Sequence, residues 1–103
     1  MVRARFIVQV RYGQFAEYLK AMEQLNEIAR KRGWADATFW VYTAGAVNEL
    51  VAEVDYPDLT TLEREGNAQS SDAEWMNVIR STVDLAVQGS ARTEVLQTAP
   101  QLA

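Results

Sequence analysis

The chain has 103 residues, of which 49% are hydrophobic and 23% charged, with a formal net charge of −4; these values predict one globular domain over residues 1–103. The absence of cysteine and histidine excludes disulfides, thiolate metal sites and a histidine base or haem ligand, so we expect neither metal nor cofactor. The acidic balance and the lack of any apolar stretch near the roughly 20 residues of a membrane span predict a cytoplasmic protein that binds neither nucleic acid nor membrane.

The first half of the chain carries strand and helix patterns in turn. Residues 2–12 alternate with period two, which predicts a strand. Apolar residues then recur at helical spacing as far as Gly33, a residue type that favours the left-handed conformation at a helix end. Residues 36–44 predict a second strand, and the turn residues 45–48 lead back through a hairpin into a third strand at residues 49–56.

The second half predicts an interrupted helical region before the last strand. Asp58 is positioned to cap a short helix. Residues 66–70 are interpreted as a break, and residues 71–74 form a capping-box pattern. An apolar stripe that begins at Trp75 and runs to residue 86 then predicts the last helix.

A fourth strand at residues 90–98, followed by a short tail at residues 100–103, completes the order β-α-β-β-α-β. Two right-handed crossovers joined by a hairpin give an α+β, ferredoxin-like domain with a four-stranded antiparallel sheet. The first and third strands should lie at its centre. The helices cover one face of this sheet, and the other face must meet solvent or another sheet.

The uncovered face is predicted to mix apolar and charged side chains. Its members are Arg5, Ile7, Gln9, Arg11, Trp40, Tyr42, Val51, Glu53, Glu94 and Leu96. We expect Arg5 or Arg11 to pair with Glu53 or Asp55 across the strands. A face with this many large apolar residues favours a homodimer formed through it. The alternative is a solvated face with scattered apolar residues, which is common on soluble proteins.

Several local motifs together resemble a known family. They are Arg11-Tyr12-Gly13 after the first strand, Glu17-Tyr18 early in the first helix, Gly33-Trp34 after it, Trp40, the hairpin at residues 45–51, the strand end at 55–59, Glu74-Trp75 and the closing strand at 92–96. With these motifs the chain resembles the NIPSNAP-like branch of the dimeric α/β-barrel superfamily. The resemblance implies two ferredoxin-like subunits packed sheet to sheet into a barrel, and it implies no single activity.

The wider superfamily includes cofactor-free quinol-type monooxygenases and haem-degrading monooxygenases. The haem-degrading members use an Asn on the first strand and a proximal His. Residues 2–12 contain no Asn and the chain contains no His, so the resemblance does not extend to haem degradation.

Two groups of residues are candidates for a ligand site. Trp75 and Asn77 could orient an aromatic substrate while Arg80 stabilises a developing oxyanion; alternatively, Trp75 is the first core residue of its helix. Trp40 and Tyr42 could stack on a flat ligand, or they could pack in a dimer interface.

A third candidate site lies among charged residues of the uncovered face. Arg5, Arg11 and Glu53 could form a polar site in which Glu53 acts as a general base, or they could make a structural cross-strand salt bridge.

The sequence leaves three functions open. The first is a protein of unassigned activity that binds a small hydrophobic or aromatic metabolite. The second is a cofactor-independent monooxygenase, or a related enzyme, acting on an aromatic or quinol-like substrate. The third is a structural dimer that interacts with other proteins.

Overall fold

Four antiparallel strands and three α-helices make up the structure, a computed structural model that describes residues 1–99; the tail expected at residues 100–103 lies outside the described residues. In chain order the elements are β1 (Val2–Gln9), α1 (Phe15–Arg32), β2 (Thr38–Val41), β3 (Glu49–Tyr56), α2 (Leu59–Ser70), α3 (Ala73–Ser81), a 3₁₀ turn (Val83–Leu85) and β4 (Arg92–Gln97). The strand order is β2-β3-β1-β4. This is the predicted ferredoxin-like α+β fold, with the first and third strands at the centre.

Helix α1 ends as the sequence predicts. Gly33 adopts the left-handed conformation with φ at 75°, which a residue without a Cβ reaches at little cost. The Trp34 N–H then donates to the Ala29 carbonyl at 2.8 Å, and this bond occupies one of the free carbonyls at the helix end. The cations of the last turn, at residues 30–32, lie where the helix dipole favours positive charge.

Strands β1 and β2 are shorter than predicted. The ladder of β1 stops at Gln9, and Val10 instead makes an isolated bridge to Ala86. Strand β2 ends at Val41 because the hairpin loop begins early: the ring of Tyr42 lies over Gly45, where a Cβ would come within 3.3 Å of it. The predicted hairpin therefore exists, but its loop is longer than the sequence indicates.

The predicted break at residues 66–70 is wrong, because α2 runs through Gly66 to Ser70. A glycine inside a helix costs only about 0.5–1 kcal/mol relative to alanine. The buried Glu65 stabilises this turn because its carboxylate accepts a hydrogen bond from the Ala35 N–H at 2.8 Å. The predicted cap at the other end is confirmed, since the Asp58 carboxylate accepts from the Thr61 N–H at 2.7 Å.

Helix α3 begins one residue later than the capping-box pattern indicates. Asp72, rather than Ser71, is the cap, and its carboxylate accepts from the Trp75 N–H at 2.9 Å. Asp72 also pairs with Arg32 at 2.9 Å, and Glu74 pairs with the same guanidinium. These ion pairs join the end of α1 to the start of α3. The last helix ends at Ser81, before the predicted residue 86, and the 3₁₀ turn follows.

The core lies between the sheet and the helices and is most tightly closed near one end of the sheet. Val8, Val10 and Leu50 are each only 1% exposed there, and they pack with Tyr18, Met22 and Leu25 of α1. We call the Val8, Val10 and Leu50 region the packed end.

Candidate functional site

A cavity of about 370 Å³ lies between the sheet and the helices, beyond the packed end. We call it the helix-side cavity. It is lined by Phe6, Tyr18, Met22, Leu25, Asn26, Ala35, Ala37, Phe39, Ala52, Val54, Tyr56, Gln69, Trp75, Ile79 and Thr82. None of these side chains is charged, and most are apolar or aromatic. Both features are typical of pockets for small organic ligands.

The cavity exists because small side chains stand where a core would need large ones. Ala52 lies on β3 opposite Phe6, two residues along the strand from Leu50. Ala35 and Ala37, which lead into β2, also line the space. Because a methyl side chain cannot reach across to α1, these positions leave a void that the packed end does not have.

Trp75 forms one wall of the helix-side cavity, and the Asp72 cap fixes where its helix begins. The indole packs edge-on against Trp34, with ring centroids 5.7 Å apart and planes at 80°, a favoured geometry for an aromatic pair. Trp75 also packs against the core cluster. Trp75 is therefore a core residue, as one interpretation predicts. It also lines the open space of the cavity, as the substrate-orienting interpretation requires.

Two polar groups in the cavity wall are already engaged with the protein. The Asn26 amide donates to the Ala37 carbonyl at 2.8 Å and accepts from the Ala37 N–H at 2.8 Å, which holds the entry to β2 against α1. The Thr82 hydroxyl donates to the Ile79 carbonyl at 2.7 Å and lies beside the hydroxyl of Tyr18. Burial raises the pKa of the Tyr18 hydroxyl.

The cavity has a second tyrosine, Tyr56, next to helix α2. Burial raises the pKa of Tyr56, and the nearby negative charge of Glu65 raises it further. Glu65 lies one helical turn before Gln69, whose side chain lines the same cavity. Tyr56 and Gln69 therefore lie near each other in a mostly apolar wall, and we call this part of the cavity the polar end.

The open face of the sheet carries a separate hollow of about 290 Å³, which we call the open-face hollow. It is lined by Arg5, Ile7, Trp40, Tyr42, Val51, Glu53, Arg92 and Glu94. Ile7 is only 2% exposed at its floor, whereas Trp40 and Tyr42 are 54% and 46% exposed. Four of the predicted candidates, Arg5, Glu53, Trp40 and Tyr42, meet here.

Charged side chains on the open face are paired across the strands. Arg5 binds Glu53 at 2.8 Å and lies 3.6 Å from Glu94, as the predicted pairing of Arg5 requires. Arg3 binds Asp55 at 2.7 Å; this guanidinium hydrogen bond lowers the pKa of Asp55. Of the two arginines predicted as alternatives for this pairing, Arg5 makes the ion pair, whereas the Arg11 guanidinium donates to the Ala86 carbonyl.

The structure does not bring Asn77 and Arg80 together with Trp75 at the helix-side cavity. Both are exposed, and Arg80 donates to the Asn77 side chain at 3.1 Å. They lie on a different face of α3 from Trp75, since neither lines the helix-side cavity. The oxyanion role suggested for Arg80 therefore has no geometric support at this cavity.

Sequence reasoning did not find Tyr18, Tyr56, Asn26 or Gln69 as site residues. Asn26 offered a signal, because it is an amide within the apolar stripe of α1. Gln69 offered no such signal, because residues 66–70 were interpreted as a break in the helix, and Gln69 was therefore not placed on any helix face.

Within residues 1–99, no group of three acidic side chains is arranged to hold a metal ion. None of the helices in that part of the chain combines the length and the apolar character needed to cross a membrane.

Comparison with solved structures places this fold among known proteins. A NIPSNAP family protein from Agrobacterium tumefaciens superposes with a TM-score of 0.77 at 19% identity, covering 95% of this chain and 92% of that one. An uncharacterized NIPSNAP domain protein from Burkholderia xenovorans gives 0.80 at 16% identity, covering 100% and 99%. An antibiotic biosynthesis monooxygenase gives 0.74 at 11% identity, covering 97% and 100%. At these identities the likeness shows a shared fold.

The family follows from the sequence. No curated protein matches this chain significantly. The NIPSNAP family model matches residues 7–101, which is nearly the whole chain. The chain therefore belongs to the NIPSNAP family.

Proposed function

We propose that this protein binds a small hydrophobic or aromatic metabolite in the helix-side cavity, as a homodimer formed through the open face of its sheet. The observation that carries the proposal is the cavity itself, about 370 Å³ in volume and lined without charge. Pockets for small ligands have volumes of about 300–1,000 Å³ and mostly apolar walls. Trp75, Phe6 and Phe39 supply aromatic surface for a flat ligand.

The dimer is supported by the composition of the open face. Trp40, Tyr42 and Leu96 leave large apolar surfaces in water, and burial of such surfaces is the main force of association. The ion pairs of Arg5 and Arg3 with their carboxylates already neutralise the charges that a second sheet would otherwise have to desolvate unpaired.

A second candidate is a cofactor-independent monooxygenase that acts on an aromatic or quinol-like substrate. It is favoured by the shared fold with an antibiotic biosynthesis monooxygenase. The uncharged lining of the helix-side cavity favours binding over turnover, since no cation faces the space to stabilise a developing phenolate.

Isothermal titration with 2-naphthol, an uncharged two-ring compound, tests the ligand site. We expect Ala52→Leu to weaken binding because its three added carbons occupy part of the helix-side cavity beside Phe6 and Phe39. The matched control is Val51→Leu, at the adjacent residue, which lines the open-face hollow; it should bind as the native protein does. Loss of binding in Val51→Leu alone would move the site to the open face, and no binding by the native protein would contradict the proposal.

Two measurements test the remaining parts of the proposal. Light scattering after size exclusion should show a dimer that Trp40→Glu dissociates, while Tyr12→Glu, at an 89% exposed aromatic outside the sheet, leaves it intact. A native monomer would overturn the dimer. Oxygen consumption with a dihydroxyaromatic compound, reduced by Ala52→Leu, would favour the monooxygenase instead.

A further inference from the structure

The polar end of the helix-side cavity carries two groups that the protein leaves available. Within residues 1–99 the structure shows no hydrogen bond from the Tyr56 hydroxyl or the Gln69 amide. No buried side-chain nitrogen or oxygen in that part of the chain is sealed away without a partner. Both residues line the cavity, beside space that a ligand can occupy. Of the other polar side chains of the wall, Asn26 and Thr82 donate to backbone carbonyls, and the Tyr18 hydroxyl lies beside Thr82.

These two groups lie at the same end of the cavity. Glu65 and Gln69 are four residues apart on α2 and so share one face of the helix. The charge of Glu65 acts on Tyr56, and its carboxylate binds the N–H of Ala35, another residue of the lining. The segment around Ala35, the end of β3 and the last turn of α2 therefore meet beside Tyr56 and Gln69.

The charge of the ligand is restricted by the same geometry. No lining side chain is cationic, so an anionic ligand would lose its hydration without gaining a counter-charge. The carboxylate of Glu65, next to Tyr56, would repel an anion further. A cation would also be poorly matched, because most of the wall is apolar and Glu65 is not part of it.

The ligand's size follows from the volume. The cavity of about 370 Å³ is roughly two and a half times the 150 Å³ apolar cavity that holds one benzene. Two fused rings with a polar substituent therefore fit, with the rings beside Trp75 and Phe39.

Extending the proposed ligand-binding function, we propose that the cavity selects an uncharged, two-ring aromatic compound carrying one hydroxyl or carbonyl oxygen, which Tyr56 and Gln69 bind. The Tyr56 hydroxyl and the Gln69 amide can each donate and accept, so either kind of oxygen is matched. An oxygen placed beside Asn26 or Thr82 would meet side chains that already donate to backbone carbonyls.

Titration of four naphthalene compounds at neutral pH tests this selectivity. We expect 2-naphthol to bind more tightly than naphthalene by roughly fivefold, the effect of one net hydrogen bond. Naphthalene-2-carboxylate and 2-naphthylmethylammonium should bind at least about tenfold more weakly than 2-naphthol, because each buries an unpaired charge. Equal binding of either ion would overturn the selectivity.

Variants at the polar end test the residues. Gln69→Leu and Tyr56→Phe should each weaken 2-naphthol binding by roughly fivefold while leaving naphthalene binding unchanged. Gln24→Leu, the same change at an exposed position of α1, is the control and should alter neither. Equal losses for naphthol and naphthalene would mean that these residues only shape the cavity, which would overturn their role.

The outcomes separate this inference from the proposed function. If naphthalene and 2-naphthol bind and Ala52→Leu weakens both, the cavity is a ligand site, and a failure of the polar-end variants overturns the oxygen recognition alone. If neither compound binds the native protein, both proposals are overturned.

Discussion

At the packed end, β-branched and leucine side chains close the space between the sheet and α1, whereas a few residues further along the same strands alanines leave it open. Val8 and Leu50 face each other across β1 and β3 and are each 1% exposed. Phe6 and Ala52 form the next pair on that face, and they line the helix-side cavity. The strands, their hydrogen-bonded pairing and the covering helix α1 are the same at the packed end and at the helix-side cavity. The volumes of the side chains therefore distinguish the two regions.

The comparison shows how one domain can keep both stability and an open site. Well-filled interiors contribute most to folding because each buried side chain makes many contacts. A void loses those contacts, and the cost remains tolerable when other elements hold its walls. Here the Asn26–Ala37 bonds hold the wall at β2, and the Asp72 cap with the ion pairs at Arg32 holds the wall at α3.

The largest expected contrast comes from one substitution made at both ends. Val8→Ala should lower the free energy of unfolding by about 2–3 kcal/mol, from two lost methyl groups and a new void. Val54→Ala, at a cavity-lining position of the paired strand, should cost only about 1 kcal/mol, since contacts are already missing there. Urea unfolding measures both, and equal losses would contradict the distinction between the ends.

The next effect concerns the wall at β2. Asn26→Leu leaves the Ala37 N–H and carbonyl without partners beside the cavity, which should lower the free energy of unfolding by about 1–3 kcal/mol. It should also weaken 2-naphthol binding as the wall loosens. Asn77→Leu, at an exposed asparagine of α3, is the matched control and should be nearly neutral. A neutral Asn26→Leu variant would show that packing alone holds this wall.

Filling the cavity should have a smaller effect of opposite sign. Ala52→Leu should raise the free energy of unfolding by about 0.5–2 kcal/mol, as cavity-filling changes commonly do. The same change at Ala29, which is 1% exposed on α1 and does not line the cavity, should lower it by about 1–3 kcal/mol through overpacking. Thermal unfolding distinguishes the two, and a destabilised Ala52→Leu would mean that the open end is fully packed.

The smallest effect is expected in acid, at the cap of the helix that carries Trp75. The hydrogen bond from Arg32, helped by the Trp75 N–H, lowers the pKa of Asp72 below the ordinary value of 3.8. A lowered native pKa stabilises the fold fully above the unfolded value and ceases to do so as pH falls through the native one.

Asp72→Asn keeps an oxygen for the cap but removes the charge that faces Arg32. Its melting temperature should therefore fall less steeply than that of the native protein between about pH 5 and pH 2. Asp55 and Asp58, whose pKa values are also lowered, should leave some acid dependence in the variant. If the melting temperatures of the native protein and the variant fell equally steeply with pH, the ion pair of Arg32 with Asp72 would contribute nothing to stability.

The fold could be predicted from the sequence because the alternating strand patterns and the residues at helix ends specify local structure. The period of two in β1 and β3, Gly33 after α1 and Asp58 before α2 each specify a local geometry that the tertiary structure keeps. The prediction failed at Gly66, where the buried contact of Glu65 with Ala35 outweighs a weak local preference. Long-range contacts of this kind leave no local pattern.

The candidate site was less predictable. The sequence pattern shows which face of the sheet a side chain is on, but it does not show how much empty space lies above that face. The open-face cluster of Arg5, Glu53, Trp40 and Tyr42 followed from alternation, and the structure assembles it. The helix-side cavity depends on how far α1 stands from Ala52 and Ala37, which periodicity does not encode. Of the three residues proposed on α3, Trp75 lines that cavity, whereas Asn77 and Arg80 lie on the exposed side of the helix.

The charge pairs of the open face also bear on how the chain avoids mispairing while it folds. Arg3 faces Asp55 and Arg5 faces Glu53 along β1 and β3. A one-residue slip would turn every apolar side chain outwards, but a two-residue slip keeps the faces. Such a slip would set Arg5 against Val51 and Arg3 against Glu53 in one direction, or Ile7 against Glu53 and Arg5 against Asp55 in the other. Only one of the two ion pairs then re-forms, so the charge pattern favours the native register over the misalignments that hydrophobic patterning tolerates.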